Sequence, residues 1–248
     1  MSEETALTRD AFLGGLLTLH QPRKGQRAGS DAALLAAAVP AEAGERVLEL
    51  GAGVGPALLA VARRAPGCIG FGLEIDAFLV DIANRNAREN ALADRVRVLA
   101  GDVAAPPVEL SPGSFDHVLA NPPFFDPVRS RTSPHPARAR ARSADAEMLQ
   151  TWLQTAARML KPQGRLTLIY RAERLDELLA GLTGRFGNVQ ILPLWPGAGR
   201  PAKRLILTAR KGAASGVALC QGVTLHRPDG GYTEAVERIL REGAPLEF

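Results

Sequence analysis

The chain has 248 residues, 46% hydrophobic and 23% charged, enough for one large α/β domain with a full core. No apolar run is long enough to cross a bilayer, and Met1-Ser2-Glu3-Glu4 puts acids where a secretory leader needs bases, so a cytoplasmic location is expected. Cys68, Cys220 and the scattered His20, His117, His135 and His226 have no metal-ligand spacing, so no metal is expected, and a net charge of +4 permits a polyanionic partner without requiring one.

In chain order, residues 30–38 read as a helix capped by Ser30, with Asp31 in its first turn. Residues 46–50 are the first apolar strand, and it runs into the glycine turn 51–55. Pro56 opens the helix that follows, where its missing N–H would have no partner anyway. A strand at 68–74, a helix at 77–90, and strands at 96–100 and 115–120 come next. Residues 144–160 carry apolar side chains at helical spacing, including Met148, Leu149, Trp152, Leu153 and Ala156. Lys161-Pro162-Gln163-Gly164 ends that helix, and 165–170 is a fifth strand. A short helix at 175–182 and strands at 189–194 and 204–209 complete the core, with a β hairpin at 217–226 and a helix at 232–241 after it.

Strands alternating with helices predict a doubly wound, Rossmann-like sheet of seven mostly parallel strands with an N-terminal helical extension. One domain is expected: an extension at 1–43, a core at 44–211 and a C-terminal trimming at 212–248.

Glu49-Leu50-Gly51-Ala52-Gly53-Val54-Gly55 closes a strand and opens a helix, the context a nucleotide site needs. Gly51, Gly53 and Gly55 let the backbone turn sharply and a ligand approach closely. The spacing departs from the Gly-x-Gly-x-x-Gly of dinucleotide folds, and Glu49 would repel a pyrophosphate. The cationic sulfonium and ammonium of S-adenosyl-L-methionine suit it better. Glu74, at the end of the second strand, is placed to accept from both ribose hydroxyls. Asp102, followed by Val103 at the end of the third strand, is placed to accept from an adenine amine. Each acid alone reads as a cap or a solvated charge, but acids at successive strand ends favour a cofactor site.

Asn121-Pro122-Pro123-Phe124 directly follows the fourth strand. Pro-Pro by itself would be a rigid turn over a buried Phe. Beside a methyl donor, the segment suits methylation of an amine conjugated to a ring or carbonyl. The Asn121 side-chain oxygen and the Pro122 carbonyl can each accept one amine hydrogen, which makes the nitrogen more tetrahedral and stabilises its growing charge. Pro123 stiffens the turn, and Phe124 can stack on a flat substrate.

The glycine turn, Leu73-Glu74-Ile75-Asp76, Gly101-Asp102 and Asn121-Pro122-Pro123-Phe124, in this order, resemble class I methyltransferases acting on amine nitrogens. Residues 27–35 (Arg-Ala-Gly-Ser-Asp-Ala-Ala-Leu-Leu), 201–207 (Pro-Ala-Lys-Arg-Leu-Ile-Leu) and Gly231-Tyr232-Thr233-Glu234 narrow the resemblance to bacterial tRNA adenine-N6-methyltransferases that modify the adenine beside the anticodon of a valine tRNA. The resemblance implies that the Arg27–Asp31 segment closes over the methionine end of the cofactor, and that RNA, most naturally tRNA, is the partner. It departs from many relatives in carrying Phe124 where they have Tyr, which keeps stacking and loses a hydroxyl.

Between Asp126 and Asp145, Arg129, Arg131, Arg138, Arg140 and Arg142 stand with no acid among them, a stretch suited to RNA phosphates flanking the target base and equally readable as a solvated loop. Two alternatives remain open on the residues alone. One is another planar amine, such as guanine N2 in rRNA or a protein glutamine amide. The other is a non-catalytic protein that binds cofactor or RNA.

Overall fold

The apolar runs in the middle of the chain send side chains alternately to two covered faces, the pattern of parallel strands buried on both sides. In the computed structural model, which describes residues 6–24, 27–123, 135–246 and 248 (backbone only over 135–145), those runs form one sheet. Its main strands are β3 (Arg46–Leu50), β4 (Ile69–Glu74), β5 (Val96–Ala100), β6 (Phe115–Ala120), β7 (Leu160–Arg171), β8 (Phe186–Trp195) and β9 (Arg204–Lys211). Across the sheet they stand in the order β8-β9-β7-β6-β3-β4-β5, and only β9 is antiparallel to its neighbours. The mostly parallel sheet is the one expected, and these are its seven expected strands; two short strands added on the outer edge of β8 bring it to nine.

Helices cover both faces. Val47, Leu119, Ile169 and Ile206 point to a core closed by α1 (Ser30–Ala37), α2 (Pro56–Arg64), α3 (Ala77–Glu89) and Ile239 of α6 (Glu234–Glu242). Leu48, Leu50, Val118, Leu166 and Leu168 point the other way, onto α4 (His135–Met159) and α5 (Leu175–Leu182). No helix among the described residues is long and apolar enough to cross a membrane.

Five expectations need correction. The N-terminal extension is not only helical: β1 (Leu7–Phe12) and β2 (Leu17–Pro22) form an antiparallel hairpin ahead of α1. Its inner strand is held by two asparagines one turn apart, Asn86 on α3 and Asn90 at its C-cap. Asn86 Oδ1 accepts from the His20 amide at 2.7 Å and its Nδ2 donates to the His20 carbonyl at 3.0 Å; Asn90 does the same for Thr18, at 2.9 and 2.8 Å. Ser30 is not the cap of α1. Gly29 holds the N-cap position in extended backbone, and Ser30 is the first helical residue.

The hairpin expected at 217–226 does not form. β10 (Val217–Leu219) and β11 (Val223–Thr224) each pair in parallel with the outer edge of β8, separated by Gly222 at φ +85°. Finally, α4 begins at His135 and not at 144, because the Ala- and Arg-rich stretch before 144 consists of good helix formers. The expected break at 161–164 is absorbed into the start of β7, with Gln163 at φ +62°.

Candidate active site

The chain runs outward from β3 to β4 and β5, then crosses back to β6 on the other side of β3. Such a reversal leaves a crevice at the carboxyl ends of the two central strands. Leu50 of β3 is in register with Leu73 of β4 and Ala120 of β6. The residues that follow, Gly51, Glu74 and Asn121, therefore emerge side by side at one edge. The structure brings these three together.

Gly51, Gly53 and Gly55 have φ of 65°, 54° and 86°, all in the left-handed region that disfavours a side chain. The three glycines differ in what surrounds them. A Cβ on Gly51 would lie 2.5 Å from Cη2 of Trp152, so α4 roofs this end of the turn. A Cβ on Gly53 would meet nothing within 4 Å, so the turn is open at its middle. Sequence reasoning counted Trp152 only as part of a buried helix face.

Glu74 is 8% exposed and both carboxylate oxygens hold backbone amides. Oε2 accepts from Gly53 N–H at 2.8 Å, tying the strand end to the turn, and Oε1 accepts from Asp76 N–H at 3.0 Å. An ionised carboxylate has about four acceptor positions, so two remain for incoming hydroxyls. Asp76 caps α3, its Oδ1 accepting from Phe78 N–H at 2.9 Å.

Glu49 differs from its expected part. It was set against a cation, yet its carboxyl is 4% exposed and accepts from Leu58 N–H at 2.9 Å. Leu58 is the third residue of α2, whose N-cap, Gly55, has no side chain to offer, so Glu49 caps the helix from within the core. Burial, aided by the nearby Glu74 carboxylate, pushes its pKa up to about 8. The folded state thus binds a proton that the unfolded chain releases near its ordinary value of 4.5. The resulting stability is fully present below that pH and is lost as pH rises through about 8. In ligand-free protein, the urea midpoint of wild type is expected to fall over this interval relative to Glu49→Gln. Parallel pH profiles for the two proteins would rule the buried proton out.

Asp102 is exposed and its Oδ1 accepts from Ala104 N–H at 2.8 Å, leaving its second oxygen toward solvent. Val103 is buried in the α4-side core, and its carbonyl accepts from Thr155 Oγ1 at 2.8 Å, so its side chain offers nothing to the crevice. Ile75, 71% exposed directly after Glu74, is an apolar rim residue that sequence reasoning passed over.

Asn121 is half-buried, and its carboxamide has no hydrogen-bond partner among the described residues. Pro122 is buried and Pro123 exposed, while Phe124 lies outside the described residues. Arg27 does not reach the crevice. It donates to Thr8 Oγ1 at 3.1 Å, the Pro22 carbonyl at 2.9 Å and Asp10 Oδ2 at 2.8 Å, all on the hairpin. Asp31 stands at the start of α1, 3.4 Å from Arg204 Nε. Arg129 and Arg131 lie outside the described residues, and Arg138, Arg140 and Arg142 belong to the first turns of α4.

Fold and site together define a class: an α/β enzyme that holds a nucleoside cofactor at the carboxyl ends of its central strands. The chain belongs to the methyltransferase small domain family, whose model matches residues 26–193. It is 32% identical over 175 residues to the tRNA1(Val) (adenine(37)-N6)-methyltransferase of Porphyromonas gingivalis W83, covering 68% of each chain. With the Aeromonas hydrophila protein of the same name it shares 31% over 218 residues, 86% of this chain and 87% of that one. Among solved structures, a predicted O-methyltransferase, Atu636 from Agrobacterium tumefaciens, superposes with a TM-score of 0.73 at 28% identity, covering 87% of this chain and 98% of that one.

S-adenosyl-L-methionine is the cofactor of this methyltransferase. The residues present fit it: an opening at Gly53 that a Cβ would fill, the Glu74 carboxylate at the end of β4, and the apolar Ile75 on the rim.

Proposed function

We propose that the protein methylates the exocyclic N6 amine of an adenine in tRNA, with Glu74, the 51–55 turn and Asp102 holding the cofactor and Asn121-Pro122-Pro123-Phe124 holding the amine. The observation that carries this reading is the register that sets Asn121, with an unengaged carboxamide, beside Gly51 of the cofactor turn. Bound S-adenosyl-L-methionine supplies an electrophilic methyl group. Asn121 Oδ1 and the Pro122 carbonyl accept the two amine hydrogens, turning the nitrogen lone pair out of the ring plane. Stiff prolines keep the carbonyl aimed, and Phe124 stacks on the base, a contact worth roughly 1–3 kcal/mol. No strong base is needed, because the amine proton leaves to water after transfer.

Adenine in a valine tRNA is supported by the names of the two relatives, which align over most of the chain. Arg129, Arg131, Arg138, Arg140 and Arg142 supply cations just after the substrate loop, suited to phosphates around the target base. We place the activity in the cytoplasm, where tRNA is modified, and treat residues 1–248 as one functional unit.

Incubation with S-adenosyl-L-methionine and unmodified total tRNA, followed by nucleoside mass spectrometry, is expected to yield N6-methyladenosine. Its absence, with label appearing in N2-methylguanosine or in protein, would redirect the reading to another planar amine. Alanine substitutions across the five arginines are expected to raise KM for tRNA while leaving cofactor affinity unchanged.

A further inference from the structure

The opposite edge of the sheet, where the parallel strands begin, holds a cavity of roughly 340 Å³ that the methyl-transfer reading does not use. His117 of β6 is in register with Arg165 of β7, and Arg165 is in register with Arg210 of β9. Directly opposed residues on neighbouring strands share a face, so these three side chains form a lateral row, and all three line the cavity. Like charges placed directly opposite one another destabilise a sheet. Here Arg165 and Arg210 stand opposed, and burial, with the proximity of Arg210 adding to it, lowers the pKa of Arg165.

Three carboxylates, Glu42, Glu45 and Asp116, line the same cavity, and Glu45 favours the charged form of Arg165, but none of them pairs directly with either arginine. Asp116 accepts from Lys161 Nζ at 2.6 Å and from Arg46 N–H at 2.9 Å. Glu45 is hydrogen-bonded to His117 Nε2 at 2.9 Å and accepts from Glu42 N–H at 2.8 Å. Neither arginine has a carboxylate within ion-pair distance among the described residues. Arg210 donates one bond, at 3.0 Å, to the carbonyl of Gln163, a non-glycine residue held at φ +62°. Such strained backbone gathers at binding sites. The His117 side chain is 8% exposed, and its Nδ1 is buried without a partner.

We infer that this edge is a second ligand site, for a small phosphate-type anion held between the guanidinium groups of Arg165 and Arg210. Two planar forks on adjacent strands match the oxygens of a phosphate or phosphate monoester, and the anion cancels the repulsion between them. Free phosphate and the phosphate of a mononucleotide offer the same chemistry. The site lies across the sheet from the crevice at Gly51, and it stands whether or not the methyl acceptor is tRNA.

Thermal unfolding of the full chain in chloride buffer, with inorganic phosphate or 5′-AMP added at matched ionic strength, tests the site. At ten times Kd, Tm is expected to rise by about 3–5 °C. Arg165→Gln and Arg210→Gln should each weaken binding about tenfold or more, with S-adenosyl-L-methionine affinity unchanged as the check on folding. Arg165→Lys, which keeps the charge and loses the fork, should weaken it less. A larger response to 5′-AMP supports the site with a monoester as occupant, and an equal response supports it with free phosphate. No response beyond that of chloride overturns the inference. So does a response that persists in the R165Q/R210Q double variant, or one that only long RNA elicits.

Discussion

Asn121→Ala is expected to lower methyl transfer by about 10²–10³-fold while cofactor affinity stays near wild type. That range is the usual cost of removing one preorganised group that stabilises developing charge. The separation of the two effects follows from the local geometry. The carboxamide of Asn121 has no hydrogen-bond partner among the described residues, so its loss breaks no structural bond. The glycine turn next to it is fixed by other groups: Ala52 N–H donates to the Leu73 carbonyl at 3.0 Å and Gly53 N–H to Glu74 at 2.8 Å. Asn121→Asp keeps an acceptor at the same reach and should retain more activity than alanine. Single-turnover transfer and equilibrium cofactor binding would be measured on the same preparations. Full activity in Asn121→Ala would remove this residue from the chemistry.

Glu74→Ala should weaken S-adenosyl-L-methionine binding by two orders of magnitude or more and lower stability as well. The carboxylate joins three things: the end of β4, the middle of the glycine turn and the N-cap of α3. Without it, two backbone N–H groups lose a charged acceptor, at about 1–3 kcal/mol for each one left unsatisfied. Gly53 N–H faces the open part of the turn and can find water, so the structural loss should fall at the lower end. The loss of ribose acceptors has no such substitute. Glu74→Gln retains one acceptor oxygen and should lie between wild type and alanine in both properties. Calorimetric titration of the cofactor alongside chemical unfolding separates the two effects. If affinity in Glu74→Ala stays within threefold of wild type while stability drops, the residue is a clamp for the turn only.

The central strands were legible because each is a short apolar run between turn residues. Residues 46–50, 96–100 and 115–120 lie where the pattern put them. The crevice was legible for the same reason, since Gly51, Glu74 and Asn121 each follow directly on the end of such a run. What stayed hidden depends on partners distant in sequence. The N-terminal hairpin carries no strong alternation of its own, and its inner strand is held through Asn86 and Asn90, more than sixty residues away. Ser30 is a good capping residue, but Gly29 takes the position when the chain enters α1 extended. Strands at 217–219 and 223–224 were found as strands and paired wrongly, because the free edge of β8 outcompetes the local hairpin. Glu49 looked like a cofactor residue from its place before the turn. Only the structure reveals that its neighbour across the fold is the bare N-terminus of α2. The approach of Trp152 to Gly51 was likewise beyond reach, since helical spacing tells which face is buried and not what it covers.

The position of β9 has a consequence for synthesis on the ribosome. β9 lies between β7 and β8 although it follows both in the chain, so β7 cannot pair on its outer side until Arg204–Lys211 has been made. Until then an elongating chain carries β3 to β6 in pairable form and a long, apolar β7 with a row of unsatisfied amides along one side. Bare edges of this kind recruit other strands. β8 and β9 pair with each other in antiparallel register, so they can meet as a hairpin through the 196–203 connection and dock onto β7 together. Nascent chains stalled anywhere between residues 171 and 204 would thus be the most prone to clump, and release past β9 would end that exposure in one step.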